Sequence, residues 1–150
     1  LAFAEQGELK WASADRNVFV TRDGRLIKTL GLPANLRRIS ATTPDPLSSP
    51  ASIAQSSFSW QWQAEWDKDY RSTHTMHSQF ENQGLESIEI NGQTIALLHV
   101  VETVEDQFLG RSYQNHYWRE PATGLVRHST QQLGVDLPIL EMTILKQYQP

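Results

Sequence analysis

The sequence of 150 residues contains no cysteine. This excludes a disulfide framework, a thiolate nucleophile and a zinc site with thiolate ligands. It also has no apolar run near the roughly 20 residues that a membrane-spanning helix requires, and it does not open with a basic-then-apolar signal segment. Basic residues are in the minority, since 13 Lys and Arg stand against 17 Asp and Glu and leave a net charge of −4. That balance argues against nucleic acid and against an anionic membrane as partners.

Helical periodicity and catalytic motifs are missing as well. No apolar pattern of helical period persists for three turns of chain. There is no G-x-S-x-G elbow, no Walker phosphate loop and no H-E-x-x-H pair. The sequence therefore contains no positive argument for an enzyme, and we expect no catalytic residues and no cofactor.

The sequence does contain the turn signals between short β-rich runs that are typical of a β protein. Asp23-Gly24 stands between two β-rich runs, and Asn91-Gly92 stands between two more. Both pairs favour tight hairpin turns, because glycine accepts the positive φ that such turns demand. A third turn is predicted at Pro121–Gly124. The segment from Ile139 to Leu145 is apolar enough to predict a last strand covered on both faces.

Residues 58–66 alternate without a break and predict one long strand with an apolar face. Trp60, Trp62 and Trp66 lie on that face. A row of exposed indoles could bind sugar rings, but soluble monomers rarely tolerate such a patch, so we expect these rings in the core. Three prolines between Thr43 and Pro50 predict a long surface loop, with a short helix at Pro50–Gln55.

The sequence thus predicts an all-β fold over residues 1–150 as a single domain. We expect an antiparallel meander of about eight to ten strands that forms a barrel or a sandwich, with a Pro-rich loop and at most a short helix.

The five histidines do not predict a metal site. His74 and His77 are three residues apart, and in a strand such positions point to opposite faces. His99, His116 and His128 lie on separate predicted strands with no acidic partner at ligand spacing. We expect all five to be surface or half-buried imidazoles.

Three groups of carboxylates could in principle serve glycoside hydrolysis. Each lies beside a predicted turn or on the polar face of a strand, where charge normally meets water, so we expect them to be solvated. The groups are Glu65 with Asp67, Glu102 with Glu105 and Asp106, and Glu86 with Glu89.

A candidate binding face lies on the predicted strand 111–119. Arg111, Tyr113, Tyr117 and Arg119 share one side of that strand by its two-residue period. Rings and forked donors in this pattern suit a polyhydroxylated or anionic ligand. They equally suit an ordinary half-exposed sheet, whose neighbours the Tyr and Arg stems would cover.

An ordered set of turn and strand residues carries a family resemblance. It comprises Trp11, Asp15, Val20-Thr21, Gly24-Arg25-Leu26, Lys28-Thr29, Asn35-Leu36, Asp45-Pro46-Leu47, Gly84-Leu85-Glu86, Ile90-Asn91-Gly92, Tyr117-Trp118, Thr123-Gly124-Leu125-Val126-Arg127, Gln132-Leu133-Gly134, Pro138 and Glu141-Met142-Thr143-Ile144-Leu145-Lys146. In this set the chain resembles the YjbF/GfcB family of bacterial lipoproteins, which are encoded with capsule and exopolysaccharide genes. The likeness covers Trp11 to Lys146.

The resemblance implies a periplasmic protein that a lipid on an upstream cysteine anchors to the outer membrane. It also implies that one or more strands precede Leu1. The implied function is a non-enzymatic accessory role in making or exporting a surface polysaccharide, either group 4 capsule or a Yjb-type exopolysaccharide. The partner would be an envelope export protein or the polysaccharide itself.

Two alternatives to this function remain open. One is a glycan-binding module that uses the 111–119 face, and the other is a polysaccharide-modifying enzyme that uses a carboxylate pair. Exposed sheet edges recruit further strands. We therefore also expect either a homodimer formed by edge pairing or protection of the edge by upstream residues.

Overall fold

The computed structural model describes residues 3–5, 8–67 and 72–145, with side chains from residue 8 onward. Eleven strands make up the described part of the chain, slightly more than the eight to ten expected, and none of its residues forms an α-helix. The strands are β1 Phe3–Glu5, β2 Glu8–Ala12, β3 Val18–Arg22, β4 Arg25–Leu30, β5 Leu36–Ser40, β6 Ser57–Trp66, β7 Ser72–Ile90, β8 Gln93–Asp106, β9 Arg111–Arg119, β10 Val126–Gln132 and β11 Ile139–Thr143.

The strands form two antiparallel sheets. One sheet has the order β1-β2-β3-β4, and the other has the order β11-β10-β9-β8-β7-β6-β5. The seven-stranded sheet curls into a half-barrel. The all-β antiparallel prediction is confirmed. The sequence predicted a barrel or a sandwich, and the observed half-barrel resembles the barrel more closely.

Both predicted dipeptide hairpins are confirmed. Asp23 and Gly24 join β3 to β4 with φ of 52° and 87°, and Asn91 and Gly92 join β7 to β8 with φ of 53° and 78°. Two successive positive φ values match the right-handed twist of the flanking strands. Gly24 is further constrained, because an added Cβ would lie 2.5 Å from the side chain of Val126.

The β7 strand is longer than the sequence predicts. The sequence predicts two separate strands here, residues 71–80 and 85–90, whereas the structure has one strand of 19 residues. Its register with β8 shifts between Asn82 and Gly84, which is a β-bulge. Gly84 adopts a φ of 90° there, so the gap between the two predicted strands is a bend within one strand.

The tryptophan strand faces the core, as predicted. Trp60, Trp62, Ala64 and Trp66 of β6 are all buried. They pack inside the half-barrel against Met76, Phe80, Val100, Val104, Tyr113, Tyr117 and Val126. This cluster is the main core of the described fold.

The Pro-rich segment forms two short 3-10 helices, Pro46–Ser48 and Pro50–Ala54, and Leu47 of the first packs in the main core. The second one occupies the place of the predicted short helix. Asp45 caps the first, because its Oδ1 accepts a hydrogen bond from the backbone N–H of Leu47 at 2.9 Å.

The two sheets meet where β4 approaches β10. Gln131 of β10 accepts a hydrogen bond from Leu26 N at 2.9 Å and donates to Gly24 O at 2.8 Å. Phe19, Leu26 and Leu133 form a small second core at this junction. In the part of the chain that the structure describes, no helix has the length and apolarity needed to cross a bilayer.

Candidate functional site

An ionic cluster lies at the centre of the half-barrel. The guanidinium of Arg25, which starts β4, is 2% exposed and contacts two carboxylates. Its Nε donates to Asp45 Oδ2 at 2.5 Å, and its Nη1 donates to Glu102 Oε1 at 3.0 Å. Burial lowers the pKa of Arg25, but the charges of Asp45 and Glu102 raise it further, so the net pKa is well above the ordinary value. Arg25 is therefore a permanent buried cation.

Glu102, on β8, is completely buried. Its Oε1 also accepts hydrogen bonds from Tyr117 OH at 2.8 Å and Asn115 Nδ2 at 3.1 Å. Its Oε2 lies 2.9 Å from Arg25 Nη1 without hydrogen-bond alignment, and it has no hydrogen-bond partner among the described residues. Burial and the nearby carboxylate raise the pKa of Tyr117 well above its ordinary value, despite the opposing charge of Arg25. The phenol therefore remains a hydrogen-bond donor to Glu102.

Aromatic rings surround the same guanidinium. The Cζ of Arg25 lies 4.8 Å from the ring centre of Trp60 and 5.5 Å from that of Trp62. Phe80 and Tyr117 lie slightly further away, at 5.7 and 5.8 Å. These distances allow cation–π attraction in a desolvated site. The tryptophan stripe thus packs against a charged group as well as against apolar side chains.

Arg119, at the end of β9, ties the Pro-rich segment to the sheet. Its Nη1 donates to Ser52 Oγ at 2.8 Å and its Nε donates to Gly124 O at 3.0 Å. Its Nη2 reaches the carbonyls of Leu47 and Ser49, both at 3.4 Å. Burial lowers the pKa of Arg119, with an opposing contribution from the charge of Asp45. The guanidinium donates to hydroxyl and carbonyl oxygens, and its bonds to Ser52, Leu47 and Ser49 hold the Pro-rich segment against the end of β9.

The structure places the four predicted binding residues on one side of β9, as the strand period requires, but that side is the inner one. Tyr113, Tyr117 and Arg119 are buried. Arg111, at the start of the strand, is exposed and pairs with Asp136. The space beside Tyr113 is about 20 Å³, which is the size of one water molecule. The binding role of the four residues remains a prediction, and a ligand would have to reach three of them from inside.

Two of the carboxylates that we expected to be solvated are buried, so that expectation was wrong for Glu102 and Asp106. Both face inward on β8 in alternation with Val100 and Val104. Asp106 is held by His74 Nδ1, which lies 2.7 Å from its Oδ2. Partners inside the protein replace water for both carboxylates.

The remaining members of those acidic groups lie nearer to water. Glu65 pairs with Arg38 at 3.3 Å, and Asp67 accepts a hydrogen bond from Asn35 N at 2.9 Å. Glu86, Glu89 and Glu105 are exposed.

A row of stacked rings covers the outer face of the half-barrel. His99 on β8 and Trp118 on β9 are cross-strand partners, and their rings are parallel within 5° at 4.5 Å. His128 of β10 packs on Trp118 at 4.9 Å, and His99 Nε2 lies 2.9 Å from His116 Nδ1. Glu86 Oε2 accepts a hydrogen bond from Trp118 Nε1 at 3.2 Å and lies 3.1 Å from His99 Nδ1. The rings cover one another, so this row is not an open platform for a sugar.

The half-buried positions of His99, His116 and His128 agree with the sequence analysis, whereas the acidic contact of His99 was missed. Glu86 is remote from His99 along the chain but lies beside it across the hairpin. Burial lowers the pKa of His99, against the charge of Glu86. His74 and His77 lie on opposite faces as predicted, and His77 is exposed. The expectation of a surface or half-buried imidazole is wrong for His74, which is buried because it contacts Asp106 and packs on Phe108. Within the described residues, no three His, Asp or Glu side chains are placed to hold a metal ion.

A polar cleft opens above the buried cluster, between the β3–β4 turn, the end of β5 and the Pro-rich segment. Its volume is about 320 Å³, within the usual range for small-ligand sites. The indole of Trp60 forms part of its floor and donates from Nε1 to Thr43 O at 3.1 Å. Burial, followed by the charge of Asp45, raises the pKa of Asp23. The lining is Arg22, Asp23, Ile27, Ile39, Ser40, Ala41, Thr43, Pro44, Asp45, Ser48 and Trp60.

Comparison with known proteins agrees with this architecture and with the ordered residue set. The family model described as "Group 4 capsule polysaccharide lipoprotein gfcB, YjbF" matches residues 1–145. The chain belongs to the YjbF/GfcB family. It is 36% identical over 148 residues to the "Uncharacterized lipoprotein GfcB" of Escherichia coli K12 and 32% identical to the "Uncharacterized lipoprotein YjbF" of the same strain. Each match covers 97% of this chain and 68% of the relative.

A solved structure of a relative has the same fold. The crystal structure of the hypothetical lipoprotein YmcC from Escherichia coli K12 superposes with a TM-score of 0.85 at 34% identity. The match covers 100% of this chain and 77% of that one. The relatives are named as lipoproteins of a capsule-associated family and not as enzymes. Those names are consistent with a place in the cell envelope.

Sequence reasoning missed the residues at the centre of this site. Glu102 lies between Val100 and Val104 at two-residue spacing, so an acidic side chain on an apolar strand face was visible in the sequence. Such a residue requires a buried cation. The cation could have been Arg25 or Arg119, and the sequence offers no signal that chooses between them.

Proposed function

We propose that this protein is a non-enzymatic accessory lipoprotein in the production or export of a bacterial surface polysaccharide, either group 4 capsule or a Yjb-type exopolysaccharide. The supporting observation is the match of the capsule lipoprotein family to residues 1–145, nearly the whole chain. In this proposal a lipid on an upstream cysteine anchors the protein to the periplasmic face of the outer membrane. It acts there by binding an envelope partner or the glycan.

The state of the charged groups favours binding over catalysis. Glu102 and Asp45 both contact Arg25, and Arg119 donates hydrogen bonds to the Pro-rich segment. Asp45 shares the cleft with Asp23, but both of its oxygens already contact donors, Oδ2 to Arg25 and Oδ1 to Leu47 N. A glycosidase needs two carboxyl groups that are free to act on a substrate. A polysaccharide-modifying enzyme therefore has less support than an accessory protein.

Deletion of the gene in a strain that normally makes the polysaccharide tests this function. We expect surface polysaccharide to fall and expression of the intact protein to restore it. Unchanged polysaccharide in the deleted strain would contradict the proposal.

Glycan binding is the second candidate, and the polar cleft favours it. Asp23 and the hydroxyls of Ser40, Thr43 and Ser48 could accept and donate hydrogen bonds to sugar hydroxyls. Because Trp60 forms part of the floor, titration with the native polysaccharide should change tryptophan fluorescence and reach saturation. We expect Asp23→Asn to weaken this binding several-fold, whereas Asp136→Asn, in a different loop, leaves it unchanged. A fluorescence signal that does not saturate at millimolar repeat units would remove this candidate.

Pairing of sheet edges is a further proposal about partners. In the described part of the chain, β11 pairs on one side only, with β10, and Ile139 at its start is 68% exposed. Such an edge can accept another strand. Size-exclusion chromatography of chains with and without an upstream segment tests whether two copies pair there. A monomer in both forms would contradict edge dimerisation.

A further inference from the structure

The turn between β8 and β9 holds two apolar side chains out from the protein. It consists of residues 107–110, and at its tip Phe108 is 72% exposed and Leu109 is 46% exposed. Other exposed apolar residues, such as Leu85 and Ile139, lie singly on strands. Two adjacent apolar side chains exposed to water at a turn carry a free-energy cost, which is relieved when another surface covers them.

The tip has a fixed shape. Asp106 Oδ1 accepts hydrogen bonds from Phe108 N and Leu109 N, both at 3.1 Å. Asp106 Oδ2 lies 2.7 Å from His74 Nδ1, and the ring of His74 packs on that of Phe108 at 4.7 Å. Asp106 is 3% exposed and His74 is 9% exposed. A buried pair thus pre-organises the tip, which reduces the entropy lost when it docks.

The backbone donors of the turn are all satisfied within the protein. Gln107 N donates to Thr75 O at 3.0 Å and Gly110 N donates to Asp106 O at 2.8 Å, in addition to the two bonds to the carboxylate. Residues 107–110 carry no ionisable side chain. A protein partner could supply acceptors for free N–H groups, but the interior of a bilayer cannot. Internal satisfaction of the four donors therefore removes one cost of placing this turn in lipid.

We propose that the Phe108–Leu109 tip inserts into the interface of a phospholipid bilayer. This inference rests on the proposed function, in which a lipid holds the chain at a membrane. The net charge of −4 supplies no attraction to anionic lipids. The tip therefore orients a protein that is already tethered and does not recruit it from solution.

Strand direction is compatible with this orientation. β1 runs antiparallel to β2, with Phe3 opposite Lys10, so it starts towards the end of the four-stranded sheet where β4 also ends. The short connection from Leu30 to Leu36 joins that end of the four-stranded sheet to one end of the half-barrel. The turn between β8 and β9 lies at the same end of the half-barrel. The part of the chain that leads into β1 thus reaches the fold at the end that carries the tip.

A single fluorescent label tests the insertion. Because the chain has no cysteine, Leu109→Cys creates one labelling site for an environment-sensitive dye such as NBD. The labelled protein is tethered through a flexible N-terminal histidine tag to phosphatidylethanolamine–phosphatidylglycerol vesicles that contain a nickel-chelating lipid. We expect the emission to shift to the blue and to rise about twofold or more on tethering. The same label at Leu85→Cys should stay in water.

One control separates insertion by the protein from insertion by the dye, and a second tests whether lipid charge contributes. Phe108→Ser in the Leu109→Cys chain should remove most of the shift, and circular dichroism should show that its strands are retained. Replacing phosphatidylglycerol with phosphatidylcholine should leave the shift unchanged, because charge plays no part. A label at 109 that stays in water on tethered vesicles, or a shift that survives Phe108→Ser, would overturn the proposal.

This test is independent of the proposed function. Loss of polysaccharide on gene deletion, without insertion of the label, would refute membrane insertion of the tip and leave the accessory role supported. Insertion of the label without any effect of gene deletion would refute the accessory role and leave membrane insertion of the tip supported.

Discussion

Arg25 and Glu102 are separated by 77 positions in the chain, yet Nη1 of the arginine lies 3.0 Å from one carboxylate oxygen and 2.9 Å from the other. Arg25 belongs to the four-stranded sheet and Glu102 to the half-barrel. The pair therefore joins the two sheets through a contact from which water is excluded. Asp45 brings the Pro-rich segment to the same guanidinium.

Arg25→Met should destabilise the fold by about 3–5 kcal/mol, because it leaves the carboxylate of Glu102 buried without its cation. Urea denaturation followed by tryptophan fluorescence measures the change in the free energy of unfolding. Arg38→Met is a matched control, since Arg38 is 74% exposed and pairs with Glu65 at the surface. We expect that control to lose no more than about 1 kcal/mol.

Replacing both partners should recover part of the loss. Arg25→Met with Glu102→Gln removes the uncompensated charge, so the double variant should be more stable than Arg25→Met alone. A double variant that is less stable than the single one would show that the pair is not the main source of the effect.

Gly24→Ala should destabilise the fold more than Gly92→Ala. Both glycines have positive φ, so both substitutions strain the backbone. Only at Gly24 would the new Cβ also meet a side chain, Val126 at 2.5 Å; within 4 Å of the Gly92 position there is nothing. We expect about 1 kcal/mol for Gly92→Ala and at least about twice that for Gly24→Ala. Thermal unfolding of both variants measures the difference, and equal losses would mean that Val126 moves aside freely.

Local chemistry was readable in the sequence because it depends on neighbouring residues alone. The Asp23-Gly24 and Asn91-Gly92 turns, the inward Trp60 and Trp62, and the opposite faces of His74 and His77 all follow from short-range rules. The strand period also placed Arg111, Tyr113, Tyr117 and Arg119 on one side of β9.

Long-range relations were not readable, because each depends on how distant strands pair. The period of a strand says which residues share a face but not which face is inside, and on β9 the side with two tyrosines and an arginine is the inner one. The pairing of Glu102 with Arg25 compensates for the burial of both. β11 was expected to be covered on both faces, which is wrong, because Ile139 and Glu141 on one of its faces are exposed.

Asp23→Asn should stabilise the fold at neutral pH. Burial, followed by the charge of Asp45, raises the pKa of Asp23 above its ordinary value of 3.8. The folded state therefore holds the proton of Asp23 to a higher pH than the unfolded state does, and ionisation of this carboxyl lowers stability as the pH rises. Asparagine removes that effect and tolerates the positive φ of 52° at this position.

The gain should be less than about 1 kcal/mol, because Asp23 keeps part of its hydration. It should be present at pH 7 and absent below the ordinary pKa. Asp136→Asn is the control of opposite sign, since the hydrogen bond from Arg111 lowers the pKa of Asp136. Thermal unfolding of both variants from pH 3 to pH 7 tests the sign, and a gain at Asp23 that does not vary with pH would contradict it.

Arg119→Met should release the Pro-rich segment while the sheets persist. The methionine keeps much of the apolar stem but removes the donors that hold Ser52 Oγ and the carbonyls of Leu47 and Ser49. Hydrogen bonds from a charged donor contribute about 1.5–3 kcal/mol each, and partial rehydration of the freed oxygens limits the loss to about 2–4 kcal/mol.

Hydrogen exchange should become faster at residues 47–55 and remain slow in β8. Arg111→Met, on the same strand but exposed, should leave exchange in the segment unchanged. Because Thr43, Asp45 and Ser48 line the cleft, Arg119→Met should also lower the affinity of the cleft for any ligand that binds there. Unchanged exchange at residues 47–55 would mean that the segment is held by its own 3-10 hydrogen bonds and not by Arg119.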